Sequence, residues 1–301
     1  NLTIKDFDVT SGYWVHGRGL YISSSGTTNV NSVHFDNIGL DKGRNKGGGI
    51  YASSGTVNVD RCKFTDGTGA SDYYDYWNQE YALGPCIYVG SGTVSITNSL
   101  FYDNNCGRTT DNGHISLNGG TTDITNCTFT DNSSSVDGLI YCAGGTNTIK
   151  NCILHGNSCE DVVEGAGGTN TLTYSLYDAG IGGSVTESGQ IGDNTTSPGF
   201  VDEGNDDFSL LYASACRNVG TGTGAPSTDY AGNARSTTDV GAYEWFCSSA
   251  SGGTVSSSQT ICTGTTADLT VSGFSAHTIR WETNASGSWA EVSPSDNTID
   301  Y

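Results

Sequence analysis

An internal repeat constrains this chain more than any other feature of its sequence. A Gly-Thr pair recurs at residues 26, 55, 92, 120, 145 and 168, with spacings of 29, 37, 28, 25 and 23 residues. Each copy holds three short alternating stretches separated by small residues, too short and too rich in β-branched residues for helices. One copy cannot enclose a core, but copies stacked about 4.8 Å apart would pair each strand with its equivalent. The repeat therefore predicts a parallel β-helix with three strands per coil, within an all-β chain.

Aligning the copies gives three columns of equivalent residues. The first is large and apolar and is expected to fill the coil interior: Phe35, Phe64, Phe101, Phe129, Leu154 and Tyr177. The second is small and also points inward, so its thiols are interpreted as core groups: Val33, Cys62, Ser99, Cys127, Cys152 and Ser175. The third is a predicted ladder of stacked side-chain amides: Asn98, Asn126 and Asn151.

The first strand of each coil predicts a ladder of aromatic rings on the outer face. In "LYI", "IYA", "IYV", "ISL" and "IYC" the flanking apolar residues should point inward. The two-residue period of a strand then turns the central residue to solvent. These central residues are Tyr21, Tyr51, Tyr88, Ser116 and Tyr141. Rings at regular steps can stack on sugar faces, although they can also simply stabilise the sheet.

An aromatic insertion lies beside this ladder in the sequence. The longest interval between Gly-Thr pairs contains "SDYYDYWNQEY" between Phe64 and Ile87, with Tyr73, Tyr76 and Trp77. We expect it in the turn from the third strand of one coil to the first strand of the next. Together with the outer tyrosines it forms the predicted glycan-binding surface.

Carboxylates and basic residues define the competing functions. Asp66, Asp103 and Asp131 each follow the core ring of their coil by two residues, and stacked carboxylates could recruit Ca²⁺. The structural alternative is that they cap turns. Lys42, Arg44 and Lys46 are the only clustered candidates for a catalytic base or uronate clamp, so no catalytic residue is assigned. No other cofactor is expected.

Charge and cysteine content limit the partners. The chain has 32 acidic against 12 basic residues, a formal charge of −20, which disfavours nucleic acid and anionic membranes. No apolar run is long enough for direct membrane insertion. The absence of Met from 301 residues suggests a piece of a longer protein. Among ten cysteines, Cys86 at a strand edge and Cys106 in the following turn are predicted to form a disulfide.

The repeats resemble the right-handed parallel β-helix family typified by pectate lyases and by many bacterial surface proteins. The resemblance covers residues 1–245 and implies the fold more strongly than an activity, because this fold hosts both enzymes and adhesins. In the lyase-like members, loops at the turn that carries the insertion wall a groove over the first strands. Residues 196–245, with "DYAGNARSTTDVGAYEW", resemble the closing segment of exported β-helix proteins. That likeness implies an end cap held by Asp229, Arg235, Asp239 and Glu244.

The sequence after Phe246 resembles a different kind of module. Residues 246–301 are similar to the Ig-like stalk repeats of large Bacteroidota surface proteins, with Trp281 as the expected core ring and a truncated end. The resemblance implies a secreted protein on a bacterial cell surface, type IX secretion, and further Ig-like repeats in the parent chain.

Together these features favour a non-catalytic adhesin or glycan-binding module whose partner is a polysaccharide or cell-surface glycan. A polysaccharide lyase or glycoside hydrolase is the first alternative. A passive spacer in a surface filament is the second.

Overall fold

The computed structural model describes residues 2–5, 19–40, 46–69, 83–106, 113–134 and 138–246, together with four short strands further on. The chain divides into two compact units, Asn1–Trp245 and Phe246–Tyr301. No helix in the described part of the chain is long and apolar enough to span a membrane. The chain is all-β, as predicted from its repeats.

The first unit is a parallel β-helix in which three columns of strands recur coil after coil. The first strands are β2 (Leu20–Ile22), β5 (Ile50–Ala52), β8 (Ile87–Val89), β11 (Ile115–Leu117) and β14 (Ile140–Cys142). The second strands are β3 (Thr27–Asn31), β6 (Thr56–Asp60), β9 (Thr93–Thr97), β12 (Thr121–Thr125) and β15 (Thr146–Lys150). The long strand β17 (Asp161–Thr173) pairs with β14 and β15 and so joins the two columns into one sheet, and β19 (Gly180–Ser188) pairs with β17 as its twelfth strand.

The third strands form a separate seven-stranded parallel sheet. They are β1 (Leu2–Lys5), β4 (Val33–Asp36), β7 (Lys63–Thr65), β10 (Leu100–Tyr102), β13 (Thr128–Thr130), β16 (Ile153–Leu154) and β18 (Leu176–Tyr177). Each strand pairs in parallel with its equivalent in the next coil, which confirms three strands per coil.

The repeated Gly-Thr marks the turn between the first and second strands. Gly55 has φ of +84°, a left-handed conformation that side chains rarely adopt. A Cβ there would also overlap the carbonyl oxygen of Ser24 in the preceding coil. Both conditions recur at the equivalent glycines of later coils, so the repeat glycine is set by backbone conformation and by close stacking of the coils.

The remaining turns use Asn and Asp at left-handed positions. Asn98, Asn126 and Asn151 have φ of 46°, 54° and 51° between the second and third strands. After the third strands the same conformation occurs at Asp66, Asp103 and Asp131. Asn and Asp tolerate this region better than other residues with side chains, because their short polar groups bond locally. The left-handed backbone conformation therefore explains why Asn and Asp recur at these two turns, without reference to function.

The predicted core columns are confirmed. Phe35, Phe64, Phe101 and Phe129 are fully buried and stack with near-parallel rings, at centroid separations of 4.7, 4.7 and 4.5 Å. Leu154 and Tyr177 continue the column by strand register. The second column is buried along its length, and the Ser99 hydroxyl accepts a hydrogen bond from the backbone N–H of Cys62 at 3.1 Å. Burial raises the pKa of the Cys62 thiol to about 11.

Residues 196–245, here called the side segment, lie along the outer face of the seven-stranded sheet instead of capping an end of the coil stack. The segment contains an antiparallel pair, β20 (Phe200–Asp202) and β21 (Asp207–Leu210), joined through a 3₁₀ turn at Glu203–Asn205. Its apolar residues pack on the outward side chains of the third strands in a second core. That core contains Leu100, Tyr102, Ile153, Leu176, Phe200, Phe208, Leu210, Cys216, Val240 and Ala242.

The Phe246–Tyr301 unit contains two antiparallel pairs, β22 (Ser251–Val255) with β23 (Val271–Ser275) and β24 (Glu282–Thr283) with β25 (Ala290–Glu291). Antiparallel pairing agrees with an all-β module. The Ig-like assignment stays a prediction, and Trp281 lies outside the described residues.

Candidate functional site

The tyrosine ladder is present with the predicted register. Parallel pairing aligns Tyr21 with Tyr51, Tyr51 with Tyr88, Tyr88 with Ser116 and Ser116 with Tyr141. The flanking apolar residues of these strands belong to the interior core. The central residues therefore point to the outer face, as the two-residue period predicted.

Exposure along this ladder differs from the prediction. The Tyr21 side chain is 54% exposed and Tyr51 is half-buried, but Tyr88 is only 3% exposed and Tyr141 is buried as well. The rings do not lie flat in one plane either. Tyr21 and Tyr51 meet edge-on at 5.2 Å, and Tyr51 and Tyr88 at 5.0 Å. The prediction that all four tyrosines face solvent is therefore wrong, and within the ladder only Tyr21 and Tyr51 keep a substantial part of their side chains exposed.

Lys46 is the one member of the basic cluster that the structure describes. Its ammonium lies 4.9 Å from the centroid of the Tyr88 ring, within the range of a cation–π contact. Burial raises the pKa of Tyr51, and the neighbouring Tyr88 adds to this while Lys46 opposes it. Lys46 thus contacts the buried part of the ladder.

The aromatic insertion falls between β7 and β8, at the turn where the repeat spacing placed it. Tyr73, Tyr76 and Trp77 lie outside the described residues, as do Lys42 and Arg44. Their part in a glycan-binding surface stays a prediction.

The three aspartates form a column on the outer side of the third turn, and the side segment adds two more carboxylates. Tyr102 donates from its hydroxyl to Asp206 at 3.2 Å, and Thr130 donates to Glu203 at 3.2 Å. Burial raises the pKa of Asp103, with further increases from Asp206 and Asp66. The pKa of Asp103 thus depends on a carboxylate of the side segment, a contribution that the repeats could not reveal.

No group of three or more His, Cys, Asp or Glu side chains within the described residues is placed to hold a metal ion. The Ca²⁺ hypothesis for Asp66, Asp103 and Asp131 stays a prediction.

A second asparagine ladder, missed in the sequence, lies inside the turn after the third strands. The Asn104 amide donates to the Asn132 side-chain oxygen at 2.9 Å, and Asn132 donates to Asn157 at 2.9 Å. Each also donates to a backbone carbonyl of the preceding coil. The sequence signal was the Asn that follows each left-handed Asp or Gly.

The predicted ladder of Asn98, Asn126 and Asn151 has a different main role. Asn151 donates to Asn126 at 3.3 Å, so one rung exists. The stronger bonds go to backbone carbonyls of the side segment, from Asn98 to Thr228 at 2.9 Å and from Asn126 to Asp239 at 2.8 Å. This column therefore attaches the side segment to the coils.

The predicted disulfide between Cys86 and Cys106 is not formed, and both side chains are buried thiols. Cys86 belongs to the interior core instead of facing outward. Burial raises the pKa of Cys86, and the neighbouring Cys106 adds to the increase. A dry site of this kind disfavours the thiolate that disulfide formation requires.

The carboxylates and Arg of the side segment form the predicted structural network. Arg235 pairs with Glu244 at 3.1 Å, and Asp229 accepts from the Glu244 backbone at 2.9 Å. Asp239 accepts from the Asn218 backbone at 2.6 Å. These groups are engaged in holding the segment.

The coils have three strands each and stack in parallel, with one column of aromatic rings and one column of thiols pointing into the interior. This arrangement is that of a right-handed parallel β-helix. Comparison with protein families gives the same answer, since the family described as "Right handed beta helix region" matches residues 1–181. That is more than half of the chain, which therefore belongs to this family. No curated protein and no solved structure matches the chain.

Proposed function

We propose that this chain is a non-catalytic glycan-binding module of a secreted bacterial surface adhesin. The observation that carries the proposal is the Tyr21–Tyr51 pair, two rings one coil apart on the outer face of a rigid sheet. Aromatic side chains with a polar tip suit sugars, because the ring covers apolar C–H faces while the hydroxyl bonds to sugar OH groups.

The rigidity of the scaffold supports this assignment. Both tyrosines lie on strands whose neighbours are fixed in the core, and the Tyr51 ring lies against Gly90 of the next coil. A binding surface held in place by its scaffold loses little freedom when a ligand arrives. Because the chain carries a formal charge of −20, it would repel anionic glycans, so we propose neutral glycans as the ligands of the tyrosine pair.

The proposed context follows the sequence resemblance. The module would stand on the cell surface, carried by Ig-like stalk repeats that continue in the parent chain, with a polysaccharide or cell-surface glycan as partner. A passive spacer would share this context but would bind no glycan.

A glycan array probed with the 301-residue chain, with and without Ca²⁺, tests the proposal. For a glycan that binds, Tyr21→Ala and Tyr51→Ala should each weaken affinity by about fivefold, on the order of 1 kcal/mol per ring. Tyr174→Asn is the matched control, because Tyr174 is also exposed but occupies a turn where other coils carry Asn. No glycan binding, or equal losses for the control, would favour the spacer.

A glycoside hydrolase is the second candidate, favoured by the carboxylates that the side segment adds to the aspartate column. Asp103 and Asp131 have raised pKa values, first because of burial and then because of neighbouring carboxylates. Carboxyl groups with perturbed pKa values are candidates for acid catalysis. Release of reducing sugar from any bound polysaccharide, abolished by Asp103→Asn, would support this candidate over the adhesin.

A further inference from the structure

A small pocket lined by basic groups lies on the outer face of the seven-stranded sheet, beside the side segment. Its volume is about 130 Å³, and it is lined by Ser32, Val33, His34, Arg61, Lys63 and Tyr230. The chain has only 12 Lys and Arg residues against 32 acidic ones. Two of these basic residues and a histidine therefore share one pocket in a strongly acidic protein.

Strand register brings the basic groups together. His34 on β4 pairs directly with Lys63 on β7, so the two residues are neighbours on adjacent strands, which are spaced about 4.8 Å apart. Arg61 precedes β7 at a left-handed turn with φ of +52°. Tyr230 comes from the side segment, so the pocket exists only when that segment is docked.

The Arg61 guanidinium keeps most of its donors available. Its Nε donates to Asp60 at 3.0 Å, but neither terminal nitrogen bonds to any residue that the structure describes. Asp60 in turn accepts from Thr97 and Asn98 through its other oxygen. The Asp60 carboxylate is thus shared among several donors, and it bonds to none of the N–H groups on the two terminal nitrogens of Arg61.

Lys63 and His34 are oriented by their neighbours. The Lys63 ammonium lies 4.8 Å from the centroid of the Tyr102 ring and forms no ion pair with a described residue. His34 Nε2 lies 2.8 Å from the Thr65 hydroxyl, which itself donates to Asp36 at 3.2 Å. The Thr65 oxygen therefore accepts from Nε2–H.

From this geometry we infer that the pocket binds a single oxyanion group, a sulfate ester, a phosphate or a carboxylate, carried by a larger ligand that remains outside. An Arg fork beside a Lys point charge is the arrangement that proteins use for such groups. A cavity of about 150 Å³ holds benzene, so 130 Å³ admits a group of four or five heavy atoms but not a whole sugar. This inference does not depend on the tyrosine pair, which lies on another sheet.

The test is a titration of the full 301-residue chain, followed by NMR, with sodium sulfate, sodium phosphate or sodium glucuronate at matched ionic strength. Saturable binding of at least one anion is expected, and the three arms identify which oxyanion is preferred. If none of the three binds saturably, the inference is wrong.

The variants use residues that the protein itself places at the equivalent positions. Arg61→Asn introduces the residue found at the same turn in Asn98, and Lys63→Thr introduces the residue found at Thr128. The double variant should weaken anion binding at least tenfold. Lys63→Thr alone should show a smaller loss, which keeps the inference testable if the double variant does not fold.

Lys150→Thr is the control for net charge. Lys150 lies on β15, outside the pocket, where it donates to the Thr223 carbonyl at 3.1 Å, and the equivalent residue of the next coil is Thr173. The anion affinity of Lys150→Thr should stay within twofold of that of the unmodified protein. Equal losses in Lys150→Thr and Lys63→Thr would show that only overall charge matters and would overturn the inference. Neutral glycan binding at Tyr21 and Tyr51 should be unchanged in all three variants, so the two proposals can fail separately.

Discussion

Arg235 donates from one terminal nitrogen to the side-chain oxygen of Asn98 at 3.0 Å, across 137 residues of sequence. The same guanidinium nitrogen reaches the carbonyls of Gly241 and Ala242, and the other terminal nitrogen pairs with Glu244. One buried side chain thus connects a coil turn to two parts of the side segment.

Loss of this buried pair should be costly. The Arg235 and Glu244 side chains are 2% and 5% exposed. Burial lowers the pKa of Arg235 and raises that of Glu244, so desolvation outweighs their attraction. Arg235→Met leaves Glu244 buried without its partner and should lower the free energy of unfolding by about 3–5 kcal/mol. Denaturant unfolding followed by circular dichroism measures the effect.

The control for this prediction is Arg61→Asn, which breaks a surface pair whose side chains are 36% and 28% exposed. It should cost less than about 1 kcal/mol, because solvent screens such pairs. Equal losses for the two variants would contradict a special role of Arg235.

The stacked phenylalanines should dominate the stability of the coils. Phe101 is fully buried between Phe64 and Phe129. Phe101→Ala should lower the free energy of unfolding by about 3–5 kcal/mol, from lost burial and the cavity that remains. Thermal and urea unfolding check this, with Tyr21→Ala as a ring deletion on the surface. A loss for Phe101→Ala no larger than that control would reject the core register.

The buried asparagine ladder should contribute through its hydrogen bonds. Asn132 donates to the Phe101 carbonyl at 2.8 Å and to Asn157, and it accepts from Asn104. Each buried group left without a partner costs roughly 1–3 kcal/mol, so Asn132→Ala should lower the free energy of unfolding by more than about 2 kcal/mol. Asn29→Ala is the matched control. Asn29 is exposed and accepts from Asn58 at 2.8 Å, so its loss should change the free energy of unfolding little.

The aspartate column should make stability depend on pH. Burial raises the pKa of Asp131 above its ordinary value of 3.8, and Glu203, Asp103 and Asp206 add to this. A carboxyl group whose pKa is raised in the folded state stabilises the protein fully below pH 3.8. This contribution is lost as pH rises through the folded-state pKa. Asp131→Asn should therefore stabilise the protein at pH 7, by about 0.5 kcal/mol because solvent screens the group. The gain should vanish below pH 3.8.

Asp193 should behave in the opposite way. Hydrogen bonds from Thr195 lower its pKa, so its contribution is present above 3.8 and is lost as pH falls through the folded-state value. Asp193→Asn should therefore reduce stability at pH 7. Melting temperatures of both variants from pH 2.5 to 8 measure the two signs, and the same sign for both would refute this electrostatic account.

The core thiols should be unreactive in the folded protein. Burial raises the pKa of Cys62 to about 11, so on the order of one thiol in a thousand is ionised at pH 8. Peptide mapping after native treatment with iodoacetamide should find Cys62, Cys127 and Cys152 unmodified, and modified only after unfolding. Cys159 is the partly exposed thiol among the described cysteines, and it should be modified before them because the reagent can reach it, although burial raises its pKa to about 12.

The repeat by itself determined the coil and its interior. Because each coil stacks on the next with the same register, equivalent residues must meet, and the columns of Phe64 and Cys62 follow directly from alignment. The outward direction of Tyr51 follows from the two-residue period for the same reason.

Contacts outside the repeat were decided only by the tertiary structure. The side segment carries no periodic signal, so its docking along the third strands, its supply of Glu203 and Asp206 to the aspartate column, and its contribution of Tyr230 to the pocket of Arg61 could not be read from spacing. The burial of Tyr88 and Tyr141 is likewise absent from the strand pattern. Periodicity fixes which face of a strand a side chain occupies, but how far that face is covered depends on contacts that do not repeat, as those of the side segment with the third strands show.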